Sequence, residues 1–156
     1  MVERWQRAIA AWEIAGGALS GAWFFDALRR LPESHKKTIA LSLAGALCTL
    51  SILSGIGIAK GVRFWSGASI FIQLVQALAV ASKEFAFQIV LGPFAYVTLN
   101  ADGLGVDIGF RPLLVIQNTH ADSGPTIIGV NALALFFVLV LVHSLANSQS
   151  DKHNAA

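Results

Sequence analysis

The chain is dominated by long apolar stretches that short polar segments separate. Thr38–Ala59 contains no charged residue, and about 20 helical residues at ~1.5 Å each cover the ~30 Å hydrocarbon layer of a bilayer. Phe64–Ser82 and Thr126–Ala146 have the same character, and Ala8–Phe25 differs only in containing one carboxylate. The pattern therefore predicts an all-α membrane protein, a four-transmembrane-helix bundle with spans at about 5–25, 38–59, 64–82 and 126–146.

Residues 83–125 have a different pattern. Short pieces rich in strand formers, such as Phe85–Val90 and Ala95–Leu99, are separated by turn signals, among them Gly92-Pro93. We predict a small β-rich extramembrane loop between helices 3 and 4, packed on the helix ends, because unpaired strand amides are not tolerated in lipid. The alternative is a Pro-kinked or re-entrant segment over Phe85–Leu99. Residues 1–146 then form a single membrane domain, and we expect the polar tail 147–156 to be disordered.

The composition also indicates a membrane protein and argues against nucleic acid as a partner. Only 13% of the residues are charged, about half the usual ~25%, so the chain lacks the charge that coats a soluble protein. The formal charge of +2 is too small and too scattered for nucleic acid. Cys48 lies inside an apolar stretch and is predicted to be a small packing residue.

The distribution of basic residues does not decide in which direction the chain crosses the membrane. The 11 basic residues divide almost evenly between the two sides, so the positive-inside rule does not decide. The tight basic connection Lys60–Arg63 suits a cytoplasmic face, which gives cytoplasmic termini in a bacterial cytoplasmic membrane. A cleaved signal peptide over residues 1–25 is less compatible with Glu13, which interrupts the apolar run.

Glu13 is the main candidate for chemistry. A carboxylate inside a span costs a few kcal/mol, so it should face protein or a wet cavity. Gly16, Gly17, Ser20 and Gly21 follow at helical spacing and lie on the same helix face, which is therefore the packing face.

Three amide side chains are predicted partners of Glu13. Gln73 and Gln76 lie one turn apart on the third apolar stretch, and Asn131 lies on the fourth. A protonated Glu13 bonded to these amides would be a structural clamp between helices. The alternative for this intramembrane polar cluster is a proton or cation contact, although a lone acid without an intramembrane base is a poor relay.

Small residues predict where helices approach closely. Gly17 and Gly21 form a GxxxG pattern, and Gly57 and Gly61 form a second one. The Gly-rich end of the second span lacks the strand that precedes a phosphate-binding loop, so packing is the preferred interpretation.

The sequence contains no catalytic or metal-binding pattern. No two His, Cys or acidic residues have ligand spacing on one helix, and no nucleophile lies in a known turn motif. We therefore predict no catalytic residue, no metal, no cofactor and no enzyme activity.

One resemblance bears on architecture. The turn Gly57–Trp65, the glutamines of the third span and the segment Ile128–Leu135 resemble small uncharacterised four-helix bacterial membrane proteins. The resemblance implies an architecture and no activity.

Three function classes stay open at this point. The first is a non-enzymatic accessory or scaffolding module, whose partners are the lipid bilayer and a membrane protein or a second copy of the chain. The second is a small transporter or channel-like oligomer with a polar path at Glu13, Gln73 and Gln76. The third is a membrane enzyme that acts on lipid or quinone.

Overall fold

In the part of the chain that the structure describes, four helices combine with one antiparallel sheet. The computed structural model describes residues 2–30, 35–81, 85–101, 103–110, 113–118 and 127–153. In chain order the elements are α1 (Val2–Arg29), α2 (His35–Ala59), α3 (Arg63–Ala77), β1 (Leu78–Ala81), β2 (Phe85–Val90), β3 (Pro93–Asn100), β4 (Gly103–Phe110), β5 (Leu113–Asn118), β6 (Ile127–Asn131) and α4 (Ala132–His153).

The four-transmembrane-helix bundle predicted from the sequence is wrong. Only two helices in the described part of the chain are long and apolar enough to cross a bilayer, Arg4–Asp26 in α1 and Thr38–Ala59 in α2. Helix α3 has 15 residues and therefore extends only ~22 Å at 1.5 Å per residue. Helix α4 contributes a shorter apolar stretch, Ala132–Asn147, and continues to His153 within the predicted tail.

The third and fourth predicted spans are too long because each includes a strand. The third apolar stretch leaves the helix at Ala77, and Leu78–Ala81 continues as β1. The fourth begins with β6, and α4 starts only at Ala132. A charge-free run of Leu, Val and Ala fits a buried strand as well as a helix, so apolarity alone did not locate these boundaries.

The turn between α2 and α3 follows from one glycine. Gly61 has φ +72°, the left-handed conformation that glycine adopts at a helix C-terminus. The Val62 amide donates to the Gly57 carbonyl at 2.9 Å, and the Gly61 amide donates to the Ile58 carbonyl at 2.9 Å. These two bonds form a Schellman motif, which ends α2 and reverses the chain into α3.

The six strands form one antiparallel sheet in the order β4-β3-β6-β1-β2-β5. The central strands β1 and β6 pair through Leu78 with Val130 and Ala81 with Ile127. Because α3 runs directly into β1 and β6 runs directly into α4, the helix pair α3–α4 continues the central strand pair without a linker. Residues 85–99 are thus two strands and a turn at Gly92, and the re-entrant alternative is not what the structure adopts.

The sheet packs alongside the helices instead of on their ends. Leu91 and Gly92, at the β2–β3 turn, approach Gly16 in the middle of α1. Ile89 packs with Phe24 of α1 and Cys48 of α2. A second core lies at the other end of the molecule and joins α1, α2 and α4 through Ile9, Ile58, Phe137 and Leu141. The prediction of a β-rich loop beyond the helix ends is therefore corrected: the sheet lies beside the second half of α1.

Candidate functional site

The candidate site is a buried carboxyl group where three helices meet. Glu13 of α1 is 2% exposed, and its side chain contacts Ser54 of α2 together with Ser69 and Gln73 of α3. We call these four residues the Glu13 cluster. Each of its side chains is buried.

Local sequence places each member on an inward helix face. On α2, Ser51, Ser54 and Ile58 follow one another at spacings of one turn, and all three are buried. On α3 the buried polar residues recur at the same helical spacing: Ser66, Ser69, Gln73 and Gln76. Small and polar residues on these faces let the three helices approach closely enough for side-chain hydrogen bonds.

Hydrogen bonds use both oxygens of the Glu13 carboxyl group. The Ser69 hydroxyl and the Gln73 amide, the latter at 3.1 Å, both lie within hydrogen-bond distance of Oε1. The Ser54 hydroxyl lies 2.9 Å from Oε2. The Ser51 hydroxyl donates to the Glu13 main-chain carbonyl at 3.1 Å, so α1 and α2 are also joined through the backbone.

The Ser54 hydroxyl lies near three hydrogen-bond acceptors but can donate to only one of them. Its oxygen lies 2.8 Å from the Leu50 carbonyl, 3.1 Å from the Ser51 carbonyl and 2.9 Å from Glu13 Oε2, whereas a hydroxyl has one proton. If that proton goes to Leu50, a common bond inside helices, a proton on Glu13 Oε2 would complete the contact with Ser54. The geometry thus accommodates a neutral carboxylic acid without any basic partner.

Positive charge does not reach the cluster in the described part of the chain. The ion pair found there joins Arg30 to Asp26, both exposed, at the far end of α1. Among the described residues, no group of three or more His, Cys, Asp or Glu side chains is placed to hold a metal ion. The arrangement can therefore link helices or hold a proton.

The structure brings Glu13 and Gln73 together and places the other two predicted partners elsewhere. Gln76 accepts a hydrogen bond from the Leu91 amide at 2.8 Å, which fixes the β2–β3 turn to α3. Asn131 Oδ1 lies 3.2 Å from the amides of Ala95 and Leu133 and 3.4 Å from that of Ala134. Asn131 therefore caps α4 and bonds to β3, as a short polar side chain does at a helix N-terminus.

Tyr96 of β3 joins the sheet to the last turn of α3. The Tyr96 hydroxyl donates to the Gln76 carbonyl at 2.9 Å, and the side chain is 1% exposed. Burial raises the pKa of Tyr96 to about 12, while a hydrogen bond with Gln88 acts in the opposite direction.

The four predicted packing glycines differ in role. A Cβ atom at Gly17 would lie 2.9 Å from the Cys48 carbonyl oxygen, and one at Gly57 would overlap the Trp65 side chain. At Gly21 the nearest atom would be Cys48 Cβ at an ordinary 3.7 Å. Gly61 has no neighbour within 4 Å, so its contribution is the left-handed turn described above.

Sequence reasoning missed two serines and Gly55, whereas it placed Gly16 on the packing face of α1. Ser54 and Ser69 belong to the Glu13 cluster, and their one-turn spacing from other small or polar residues was the available signal. At Gly55 a Cβ atom would lie 2.7 Å from the Ala10 carbonyl oxygen, and at Gly16 it would lie 2.7 Å from that of Leu91.

Comparison with other proteins gives no functional assignment. Neither the known protein families, nor curated proteins, nor solved structures gave a match to this chain.

Proposed function

We propose that the chain is a non-enzymatic integral membrane module, in which α1 and α2 cross the bilayer as an antiparallel pair and the Glu13 cluster clamps them to α3. In this proposal the module acts as an accessory or scaffolding subunit for another membrane protein. The observation that carries the proposal is the inverted distribution of side chains: polar groups are buried between the helices, and large apolar groups are exposed.

The exposed apolar side chains support membrane residence. On α2, Leu41, Leu43, Leu53 and Ile56 are exposed, and the same helix buries Ser51 and Ser54. In water this arrangement would leave apolar area solvated and place hydroxyl groups in the core, both unfavourable. In hydrocarbon it is the favourable arrangement, because lipid accepts the apolar side chains and neighbouring helices satisfy the polar ones.

A clamp is the role that best fits the Glu13 cluster. Its carboxyl oxygens are occupied by side chains of the protein itself, which leaves them engaged before any ligand arrives. A cavity of about 220 Å³ lies on the sheet, and none of its lining residues belongs to the Glu13 cluster. The accessory role is supported by this closed site, whose polar side chains bond to one another.

Membrane residence is tested by labelling single cysteines in a Cys48→Ala background. We expect Leu53→Cys and Ile56→Cys to resist a membrane-impermeant maleimide in native membranes and to react after detergent is added. Lys60→Cys, exposed just beyond the end of α2, is the matched control and should react without detergent in open membrane fragments, where the reagent reaches both faces. Equal labelling of Leu53→Cys and Lys60→Cys before detergent is added, or release of the protein by alkaline carbonate, would overturn the proposal.

The clamp is tested by two substitutions of different polarity. Glu13→Gln keeps the size and the hydrogen bonds of a neutral acid, so we expect a change in stability below about 1 kcal/mol. Glu13→Leu removes three side-chain bonds worth ~0.6 kcal/mol each in membranes and should cost about 2 kcal/mol. Equal stability of both variants contradicts a clamp.

The accessory role has its own test. Chemical crosslinking in native membranes should recover one membrane protein in fixed stoichiometry with this chain. If no partner is recovered, and if proteoliposomes of the chain alone dissipate a pH gradient that Glu13→Gln preserves, the transport alternative replaces the accessory role.

A further inference from the structure

The two faces of the sheet have opposite chemistry. Cross-strand partners point to the same side of an antiparallel sheet, so the register assigns each residue to a face. On β1, β3, β4 and β6 this side carries Pro93, Ala95 and ten larger apolar residues, and we call these ten the outer face: Leu78, Val80, Val97, Leu99, Leu104, Val106, Ile108, Phe110, Ile128 and Val130. Over β2 the same side of the sheet carries Phe87 and Ile89, which pack against the helices, so the outer face ends at β1. We define the inner face by the residues that alternate with them. It contains the apolar Phe94 and Ile127, and its other members are mostly small or polar: Ala79, Ala81, Tyr96, Thr98, Asn100, Gly103, Gly105, Asp107, Gly109, Gly129 and Asn131.

The outer face is exposed where β3 and β4 form it. Leu104 is 79% exposed, Val106 70% and Ile108 75%, and these three alternate along β4 with Gly105 and Asp107 of the inner face. Most residues that line the cavity of about 220 Å³ lie on the inner face, among them Thr98 and Asp107. Alternation of apolar-out and small-or-polar-in along a strand is the pattern of strands that contact lipid on one side.

The position of the sheet relative to α1 supports the same conclusion. The β2–β3 turn lies against Gly16, near the middle of the apolar stretch of α1, and Phe87 and Ile89 pack in the cluster that contains Phe24. Strand β2 therefore runs beside the half of α1 that leads towards Trp23. That half of α1 also has exposed apolar side chains, Leu19, Trp23 and Phe25, so the outer face lies at the depth of an existing apolar surface.

The ten outer-face residues include no polar side chain, which favours lipid over a protein partner as the molecule that covers this face. Protein interfaces are only ~56–65% apolar and have about one hydrogen bond per 100–200 Å². The ten outer-face side chains offer no hydrogen-bonding group. Acyl chains require none, whereas a protein partner covering this face would have to leave its own polar groups without a bond.

Among the described strands, β4 and β5 are the two edges of the sheet, and the β4 edge adjoins the most exposed part of the outer face. Unpaired backbone groups cannot face hydrocarbon, so the β4 edge must be reached by water. Asp107 is exposed on the inner face of β4 itself and lines the cavity, so the contact we propose requires water at this carboxylate and at the adjacent edge.

We propose that the outer face of the sheet contacts the acyl chains of one bilayer leaflet, with the cavity on the inner face turned towards water. This inference rests on the proposed membrane residence of α1 and α2. It assigns the sheet a position within the leaflet beside the second half of α1.

The experiment measures the accessibility of nitroxide spin labels in nanodiscs of phosphatidylcholine and phosphatidylglycerol. Labels are attached to single cysteines in a Cys48→Ala background, at Val106 and Ile108 for the outer face and at Thr98 and Asp107 for the inner face. Oxygen, which concentrates in lipid, and a nickel chelate, which stays in water, serve as relaxing agents. We expect the ratio of oxygen to nickel accessibility to be several-fold higher for the outer-face labels.

Two controls make the outcome unambiguous. A label at Ile56 on α2 reports membrane residence independently of the sheet, and Val106→Cys changes a side chain that is already exposed, so it should fold normally. If the Ile56 label is in lipid and the outer-face labels contact nickel, the sheet lies in water and this inference fails alone. If the outer-face labels are shielded from both agents, protein covers the face and the inference also fails. If the Ile56 label contacts nickel, the proposed function fails and this inference fails with it.

Discussion

Replacement of Gly55 by alanine tests the packing of the two long helices. Gly55 of α2 faces α1, where an added Cβ atom would lie 2.7 Å from the Ala10 carbonyl oxygen and 2.8 Å from Ile14 Cγ1. It would also lie 3.2 Å from Glu13 Cβ. The nearest atom belongs to the backbone of α1 and cannot rotate away, so the helices themselves must separate.

The expected cost follows from these distances. Nonbonded heavy atoms pack best at about 3.5–4.0 Å, so relief of the contact with Ala10 requires a separation of about 1 Å. Overpacking of this kind costs roughly 1–3 kcal/mol. The same movement lengthens the bonds from Ser54 to Glu13, so we expect Gly55→Ala to fall in the upper half of this range.

The matched control lies on the same helix. At Gly45 an added Cβ atom would have no neighbour within 4 Å, so Gly45→Ala should stabilise α2 by up to ~1 kcal/mol through helix propensity. Unfolding is measured by far-ultraviolet circular dichroism as SDS is added to protein in a mild detergent. A Gly55→Ala variant as stable as Gly45→Ala would refute the close approach of α1 and α2.

Three further predictions concern the sheet and the helix ends. Tyr96 is the single tyrosine, so its ionisation can be followed directly by ultraviolet absorbance, and we expect a midpoint near pH 12 in the folded protein against about 10 when unfolded. The difference in pKa contributes about 2–3 kcal/mol to the free energy of unfolding; this contribution is fully present below pH 10 and is lost as the pH rises through 12, because only the unfolded state releases the phenol proton between these values. A folded midpoint near 10 would contradict this. Asn131→Ala removes the α4 cap and should cost about 1 kcal/mol in the same unfolding assay, whereas Asn131→Asp should retain most of the stability. Gly61→Ala places a side chain at φ +72° and should cost about 1–2 kcal/mol, and no loss of stability there would argue against the Schellman turn.

The sequence predicted some elements well because one physical signal dominated there. The charge-free stretch of α2 is long enough to need no further information, and β2 begins and ends at Phe85 and Val90, as its strand formers and the following Gly92 indicated. The predicted third and fourth spans failed where apolar residues pass from helix to strand at Ala77 and Asn131. Such a boundary is decided by pairing with a distant strand, which local composition does not encode.

The candidate site was predicted in part for a similar reason. Glu13 was recognisable because a carboxylate in an apolar stretch needs a partner. Gln73 was one of its three predicted partners, and the structure shows this contact. Ser54 and Ser69 were missed because serine is common on apolar helices and its spacing is informative only once the helix faces are known. Gln76 and Asn131 were predicted beside Glu13, but the sheet supplies backbone amides that compete for them.

The direct junctions of α3 with β1 and of β6 with α4 have a consequence for biogenesis. Helices α1 and α2 are neighbours in the chain, so this pair can dock as soon as the ribosome has released them. Strand β1 can pair with β2 as soon as β2 is translated, whereas its pairing with β6 waits until every intervening strand has been made. Assembly therefore has an early local step and a late step that awaits the C-terminal helix, and a nascent chain truncated before Ile127 should hold the first helix pair without a completed sheet.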